Sequence, residues 1–310
     1  MQSIRSRILL FLLKHRHWFR LKLKRETIDG ATSIQNMRRD VEKSAGMFGK
    51  LPADIEVAQA SLDTPNAEFI KLAGAPNERV ILYFHGGGYV MGSCRAHRAI
   101  AAKVVKGSGV NALTFDYGLA PENPFPAALD DSLKVYEWLL SQNIAPSDIV
   151  FMGDSAGGGL CLATLLALRD RNTPLPAAAV TLSPWTDLTC SGASYRRKDP
   201  LAWEGSWEVF GNYYAGGADR TMPLISPLYG DLTGLPPLYL SVGDNENMLD
   251  DSTRFAEKAK ASGVDVTLRV GKGMVHCYPA LSPLFPEAKQ AMTEICGFIR
   301  ACIGGTTGDI

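Results

Sequence analysis

The stretch Phe151 to Leu160, FMGDSAGGGL, constrains this chain more than any other. An apolar run, Ile149 to Met152, enters a glycine turn around Ser155, and an apolar segment at helical spacing leaves it. The pattern Gly153-x-Ser155-x-Gly157 sets a serine on a sharp strand-to-helix turn, where small neighbours let the backbone bend and let another group approach closely. The following helix aims its free N–H groups at the same spot, which favours a developing negative charge there. Glycine and serine are common in ordinary turns, so the pattern takes its meaning from the rest of the chain.

Apolar alternation at Ile55 to Leu62 and Ala67 to Leu72 predicts an opening antiparallel pair. Val80 to Phe84 is a continuous apolar run of the kind buried on both faces, and Ala112 to Phe115, Ile149 to Met152, Ala178 to Leu182, Leu238 to Val242 and Val266 to Val270 repeat it. Helical patterns separate these runs at Arg98 to Val105, Ala127 to Ser141, Ala156 to Arg169 and Asp251 to Ala261, and a last one spans Pro286 to Cys302. Eight strands alternating with helices predict an α/β protein with one doubly wound, mostly parallel sheet and helices on both faces. The stretch 185–225 breaks the rhythm. It holds Trp185, Tyr195, Trp203, Trp207, Phe210, Tyr213 and Tyr214 without a convincing strand, and reads as an inserted helical lid. Most of its aromatics are expected to form its own small core, a minority facing a ligand. The expected organisation is an N-terminal lid segment, 1–50, a core in two parts, 51–184 and 226–310, and the lid insertion between them.

The formal net charge of zero hides an asymmetry: the first 25 residues carry eight Lys and Arg and no acid. The remainder is acidic, so no nucleic-acid partner is expected. Ile4, Ile8, Phe11, Leu12, His15 and Phe19 recur at helical spacing, with Arg5, Arg7, Lys14, Arg16 and Arg20 largely off that stripe. This basic amphipathic helix reads either as a peripheral membrane or homodimer contact or as a helix that packs its stripe on the body; the second is preferred. The apolar run Ile8 to Leu13 is much shorter than a membrane span, and no small-residue cleavage site precedes Trp18 and Phe19, so no signal peptide is assigned. Cys94, Cys161, Cys190, Cys277, Cys296 and Cys302 form no CxxC pair and no metal spacing, which points to a reducing cytoplasm and to no metal site.

A serine at neutral pH needs a base to take its proton and a third group to orient that base. With the elbow first, the order is serine, acid, histidine. His15, His17, His85 and His97 all precede Ser155, which leaves His276, on the loop GKGMVHCY after the last strand run. After Leu238 to Val242 the sequence GDNENMLDDS offers four carboxylates. Asp250 or Asp251 is placed to cap or charge-stabilise the next helix, and Asp244 to bond turn amides. Glu246 is the preferred acid, with Asp244 the alternative. Upstream, HGGGYVMGS (85–93) supplies consecutive glycines that can turn N–H groups outward, so the amides of Gly87, Gly88 and Ala156 are candidates to stabilise an oxyanion. A phosphate loop is excluded by the lack of GxxxxGK[ST] and of a GxGxxG opening a helix.

HGGGY, DYGLAPENPFPAALDD, GDSAGGG and the MxHxY loop, in that order, resemble the hormone-sensitive-lipase-like family of bacterial α/β-hydrolase esterases. The likeness runs from about residue 35 over nearly the whole remaining chain. It implies an α/β-hydrolase fold, a lid built from the N-terminal segment and an insertion after the sixth strand, no cofactor, and hydrolysis of small apolar esters with short to medium acyl chains. It also implies Ser155 as nucleophile, His276 as base and Gly87, Gly88 and Ala156 as the oxyanion hole. The acid loop departs from the family's usual DxL: the corresponding letters are Glu246, Asn247 and Met248, with Asp250 beyond, a register that favours Glu246. Asp116 to Glu122 reads as a strand-end turn bracing the oxyanion loop. The same machinery would open a lactone or an amide, and some members of the fold bind small ligands without turnover.

Overall fold

The computed structural model describes residues 2–15, 27–48, 51–76, 78–197 and 199–303. Helices α1 (Ile4–Lys14) and α2 (Ile34–Phe48) precede the hairpin β1 (Ile55–Gln59) and β2 (Ala67–Leu72). Then come β3 (Val80–Phe84), α3 (Cys94–Ser108), β4 (Asn111–Phe115), α4 (Ala127–Ser141), β5 (Ile149–Asp154), α5 (Ala156–Asp170) and β6 (Ala178–Leu182). After the stretch holding α6 (Ser206–Ala215), the chain closes with β7 (Leu238–Gly243), α7 (Leu249–Ala261), β8 (Val266–Gly271) and α8 (Pro286–Ile303).

The sheet has eight strands in the order β1-β2-β4-β3-β5-β6-β7-β8. Pairing is antiparallel for β1 with β2 and β2 with β4, and parallel for the rest. Parallel neighbours need crossover helices, which cover both faces and explain why the middle strands read as unbroken apolar runs. In β3 alternate side chains feed opposite layers. Leu82 and Phe84 enter a cluster with Leu133 of α4, Leu162 of α5 and Phe255 of α7; Ile81 and Tyr83 enter one with Val104 of α3 and Ile295 of α8. None of the described helices is long and apolar enough to cross a membrane.

Three local expectations are corrected. Helix α3 begins at Cys94, not Arg98, because the Ser93 hydroxyl accepts the Ala96 amide at 3.0 Å and Asp116 Oδ1 accepts the Cys94 amide at 2.6 Å. Asp250 and Asp251 stand in the first turn of α7, where charge stabilisation places them, but neither caps it through its side chain. Asp251 Oδ2 accepts the amides of Thr186 and Asp187, both at 2.9 Å, and Asp250 Oδ2 accepts that of Ser194, so both tie α7 to the inserted stretch. Helix α1 is indeed helical, yet its apolar stripe does not pack on the body. Ile4, Ile8, Phe11 and Leu12 are exposed, whereas Ser6 and Leu10, on the other side, are buried. Ser3 and Ser6 grip Glu287 of α8, which explains the choice of face: polar anchors on the body outcompete the apolar stripe. Phe19, Arg16 and Arg20 lie outside the described residues.

Candidate active site

Strand β5 delivers the chain to Ser155 at φ 56° and ψ −122°, and α5 starts at the next residue. A φ in that region is strained for a non-glycine side chain, so the surroundings must hold it. The Ser155 amide donates to the Leu182 carbonyl at 2.8 Å, and the Ser155 carbonyl accepts from Trp185 at 3.0 Å and Gly159 at 3.1 Å. A serine at a helix N-cap usually spends its hydroxyl on the helix amides. Here the hydroxyl makes no capping bond. Gly157 is required by space: a Cβ would collide with the carbonyl oxygens of Phe84 and His85, the residues that open the glycine loop. That close approach sets the amino end of α5 directly against the glycine loop.

The loop after β7 places Glu246, and the loop after β8 places His276. Glu246 Oε2 accepts from His276 Nδ1 at 2.7 Å; its Oε1 accepts from the Gly243 amide at 2.6 Å and the Ser183 hydroxyl at 2.8 Å. Ser183 Oγ in turn accepts the Cys277 amide at 2.9 Å, so a single hydroxyl at the end of β6 fixes both the carboxylate and the backbone beside the histidine. Burial acts to lower the His276 pKa, but the neighbouring Cys277 and the Glu246 carboxylate outweigh it and hold the imidazole well above the ordinary histidine range. Burial pushes the Cys277 thiol up, so it stays neutral near pH 7 and Glu246 supplies the lasting attraction. Among the described residues no hydrogen bond joins Ser155 Oγ to His276 Nε2. Such bonds are often long until substrate compresses them. Asp244 instead accepts the Gly273 amide at 2.5 Å, the turn-amide role expected of it.

Gly87 (φ 124°) and Gly88 (φ 63°) adopt backbone that side chains resist, and their amides meet no acceptor among the described residues. The loop is braced from three sides. Asp154, the residue before Ser155, accepts the Gly86 amide at 3.1 Å and the Tyr83 hydroxyl at 2.7 Å. The 116–122 turn contributes Tyr117, whose hydroxyl donates to the His85 carbonyl at 2.8 Å, and the Ala120 amide, which donates to the Tyr89 carbonyl at 2.9 Å. Arg38 of α2 donates to the carbonyls of Val90 at 2.7 Å and Ala120 at 2.8 Å and pairs with Glu122. His85 is buried and stacked on Tyr117, ring centroids 4.1 Å apart; burial and His97 pull its pKa down to about 4, so it is a neutral structural imidazole.

Sequence reasoning did not single out Asp154, Ser183 or Arg38, whose partners all lie far along the chain. Asp154 carries the only local signal, as the charged letter inside GDSAG. The aromatics of 185–225 do not form the expected small core of their own but join the main core cluster of the sheet and its helices. Trp185, Phe210 and Tyr214 are buried; Tyr214 stacks on Tyr89 at 3.6 Å, and Phe210 lies against Gly88. Trp207 is half-buried, 6.1 Å from the His276 ring, and borders a cleft of about 590 Å³ with Tyr195, Trp203 and Asn247. Among the described residues no group of three or more His, Cys, Asp or Glu side chains could hold a metal ion.

A central parallel sheet of this strand order, interrupted at the end of β5 by so tight a turn into a helix, is that of an α/β hydrolase. Residues 81–280 match the family model of the alpha/beta hydrolase fold. The chain is similar to an acetyl-hydrolase of Streptomyces hygroscopicus, 36% identical over 288 residues that span 92% of this chain and 95% of that one. An esterase of Acinetobacter venetianus is 35% identical over 266 residues, 84% and 87% of the two chains. A crystal structure of an esterase from the bacterial hormone-sensitive lipase family superposes with a TM-score of 0.88 at 39% identity, covering 98% of this chain and all of that one. The chain therefore belongs to the hormone-sensitive-lipase-like family of α/β-hydrolase esterases.

Proposed function

We propose that the protein hydrolyses small apolar carboxylic esters with short to medium acyl chains, through a covalent acyl-enzyme on Ser155. The observation that carries the assignment is the Glu246–His276 pair at 2.7 Å, its carboxylate buried, at the strand ends beside the Ser155 turn. Ser155 Oγ attacks the acyl carbon while His276 Nε2 takes its proton, and the amides of Gly87, Gly88 and Ala156 receive the oxyanion. Collapse of the intermediate breaks the bond to the alkoxide, which His276 protonates. Water then gives a proton to His276 and attacks the acyl-enzyme; the acid leaves as Ser155 regains its proton. Glu246 fixes the Nδ1–H tautomer and stabilises the imidazolium.

Residues 185–225, with residues 1–50, form the lid in this reading, over a core of 51–184 and 226–310. The support lies in residues 27–48, where Ile28 donates to the Glu204 carbonyl at 2.8 Å and Arg38 grips the glycine loop; α1 packs mainly against α8 and the loop before His276. Phe210 at Gly88 and Trp207 near His276 bring aromatic walls close to the reacting centre, which suits a short acyl group, as does the likeness to an acetyl-hydrolase. Six free thiols support a reducing compartment, the cytoplasm.

Treatment with an organophosphonate followed by intact-mass analysis tests the chemistry. One adduct on Ser155 is expected, absent in Ser155→Ala, together with a loss of kcat on the order of a millionfold. No adduct, or one elsewhere, overturns the assignment. A panel of esters, lactones and anilides of graded acyl length is expected to favour short esters; faster turnover of lactones or anilides would reassign the substrate class.

A further inference from the structure

Helix α1 is anchored to the body by the side opposite its apolar stripe. Ser3 and Ser6 bond Glu287, Gln2 donates to the Gly273 carbonyl, and Leu10 packs with Val275 and Phe285. On the outer side Ile4 is 74% exposed, Ile8 57% and Leu12 42%. At about 100° of rotation per residue, Arg5 and Arg7 fall on the two flanks of that stripe, and both are exposed. An exposed apolar ridge between two cationic flanks has the layout of a helix lying in a lipid headgroup layer.

Charge selects the sign of the surface. The first 25 residues hold eight Lys and Arg and no acid, while the other 285 hold 24 Lys and Arg against 32 Asp and Glu. The net charge of this segment favours an anionic surface and that of the remainder opposes it, which orients the molecule as well as binding it. A nucleic acid would meet the cations but offer nothing to Ile4, Ile8 and Leu12. We propose that α1 docks the enzyme on an anionic lipid surface, with Ile4, Ile8 and Leu12 among the acyl chains and Arg5 and Arg7 at the phosphates.

The placement suits an esterase. A cleft of about 770 Å³ runs between Ile4 and Ile8 on one side and Asp244 and Asn245 on the other, at the strand ends that carry Glu246 and His276. Docking through α1 thus brings that end of the sheet to the lipid, where apolar esters concentrate. This benefit rests on the hydrolase reading; the docking itself does not.

Sedimentation of the full chain with phosphatidylglycerol-rich and with pure phosphatidylcholine vesicles tests the proposal without using catalysis. Binding is expected to the anionic vesicles, roughly tenfold or more above the neutral ones, and to fade at high salt. Ile4→Ser/Ile8→Ser/Leu12→Ser and, separately, Arg5→Gln/Arg7→Gln should each weaken it about tenfold or more, with the oligomeric state unchanged. Equal binding to both vesicles, or variants that bind like the parent, overturns the proposal. A changed oligomeric state in the stripe variants also overturns it, by assigning the face to a second copy of the chain.

Discussion

Glu246 is buried, and its two oxygens accept three hydrogen bonds, which replace the water that burial removes. One of the donors is the imidazole whose pKa the carboxylate raises. A general base works only in its neutral form, so kcat/KM should rise through the His276 pKa, with an acid limb above the ordinary histidine value of about 6.5. Glu246→Gln keeps the shape and removes the charge. Burial then acts with less opposition: the acid limb should move to lower pH, and the plateau should fall by about a thousandfold to ten-thousandfold. Asp244→Asn should leave the limb in place and cost less than about threefold, since it removes charge from a turn-amide acceptor only. A moved limb in Asp244→Asn and a fixed one in Glu246→Gln would exchange their roles. The candidates Ser155 and His276 stand out in the sequence because an elbow serine restricts a candidate base to histidines downstream, and there is one. Ser183 and Asp154 do not, because a hydroxyl that bridges β6 to two later loops, or a carboxylate that reaches back to Gly86, leaves no local pattern.

The elements were legible where apolar runs have one interpretation, as in β3 to β7, and less so at boundaries set by tertiary partners. The start of α3 depends on Asp116 and the binding face of α1 on Glu287; an amphipathic stripe shows which residues are apolar, not which side meets the body. The approach of α5 to the glycine loop gives a sharp test. Gly157→Ala drives a Cβ into two backbone carbonyls that cannot rotate away, at a cost of about 3 kcal/mol, and should lower Tm by several degrees. Gly30→Ala, with nothing within 4 Å of the new Cβ, should stay within about 0.5 kcal/mol of the parent. The junction of α7 with the inserted stretch gives another. Burial, aided by the charge of Asp187 and opposed by the amides of Thr186 and Asp187, pushes the Asp251 carboxyl up to about 8, with Tyr195 nearby and Arg254 paired to Asp187. The native carboxyl keeps its proton up to about pH 8, and the unfolded one releases it near pH 4. Between these values the native state binds the extra proton, so stability falls as pH rises. Asp251→Asn cannot ionise, and its Tm should decline less from pH 5 to pH 8 than that of the parent; parallel declines would show that Asp251 does not titrate in this window.

At the scale of the molecule, the site depends on segments that meet nowhere in sequence: the elbow, the glycine loop, the 116–122 turn, the strand ends of β6 to β8, and α2. Strand order alone brings most of them together, since parallel strands in a doubly wound sheet put all their carboxyl ends on one edge. Helix α2 belongs to no strand, and Arg38 connects it to the glycine loop and the 116–122 turn. One guanidinium spans the Val90 carbonyl at the end of the glycine loop, the Ala120 carbonyl of the turn and the Glu122 carboxylate. The pair with Glu122 is exposed on one side and contributes little by itself, whereas the two carbonyl bonds set the spacing of loop and turn. Arg38→Lys keeps the charge but replaces a planar fork by a single point, which cannot hold both carbonyls at their present distances. Stability should change by about 1 kcal/mol, because most of the core is untouched. The glycine loop should loosen, and an oxyanion site that is less preorganised loses transition-state binding before it loses substrate binding. The expected result is kcat lowered about tenfold with KM changed less than about twofold; the reverse split would make Arg38 a determinant of the substrate pocket rather than of the oxyanion loop.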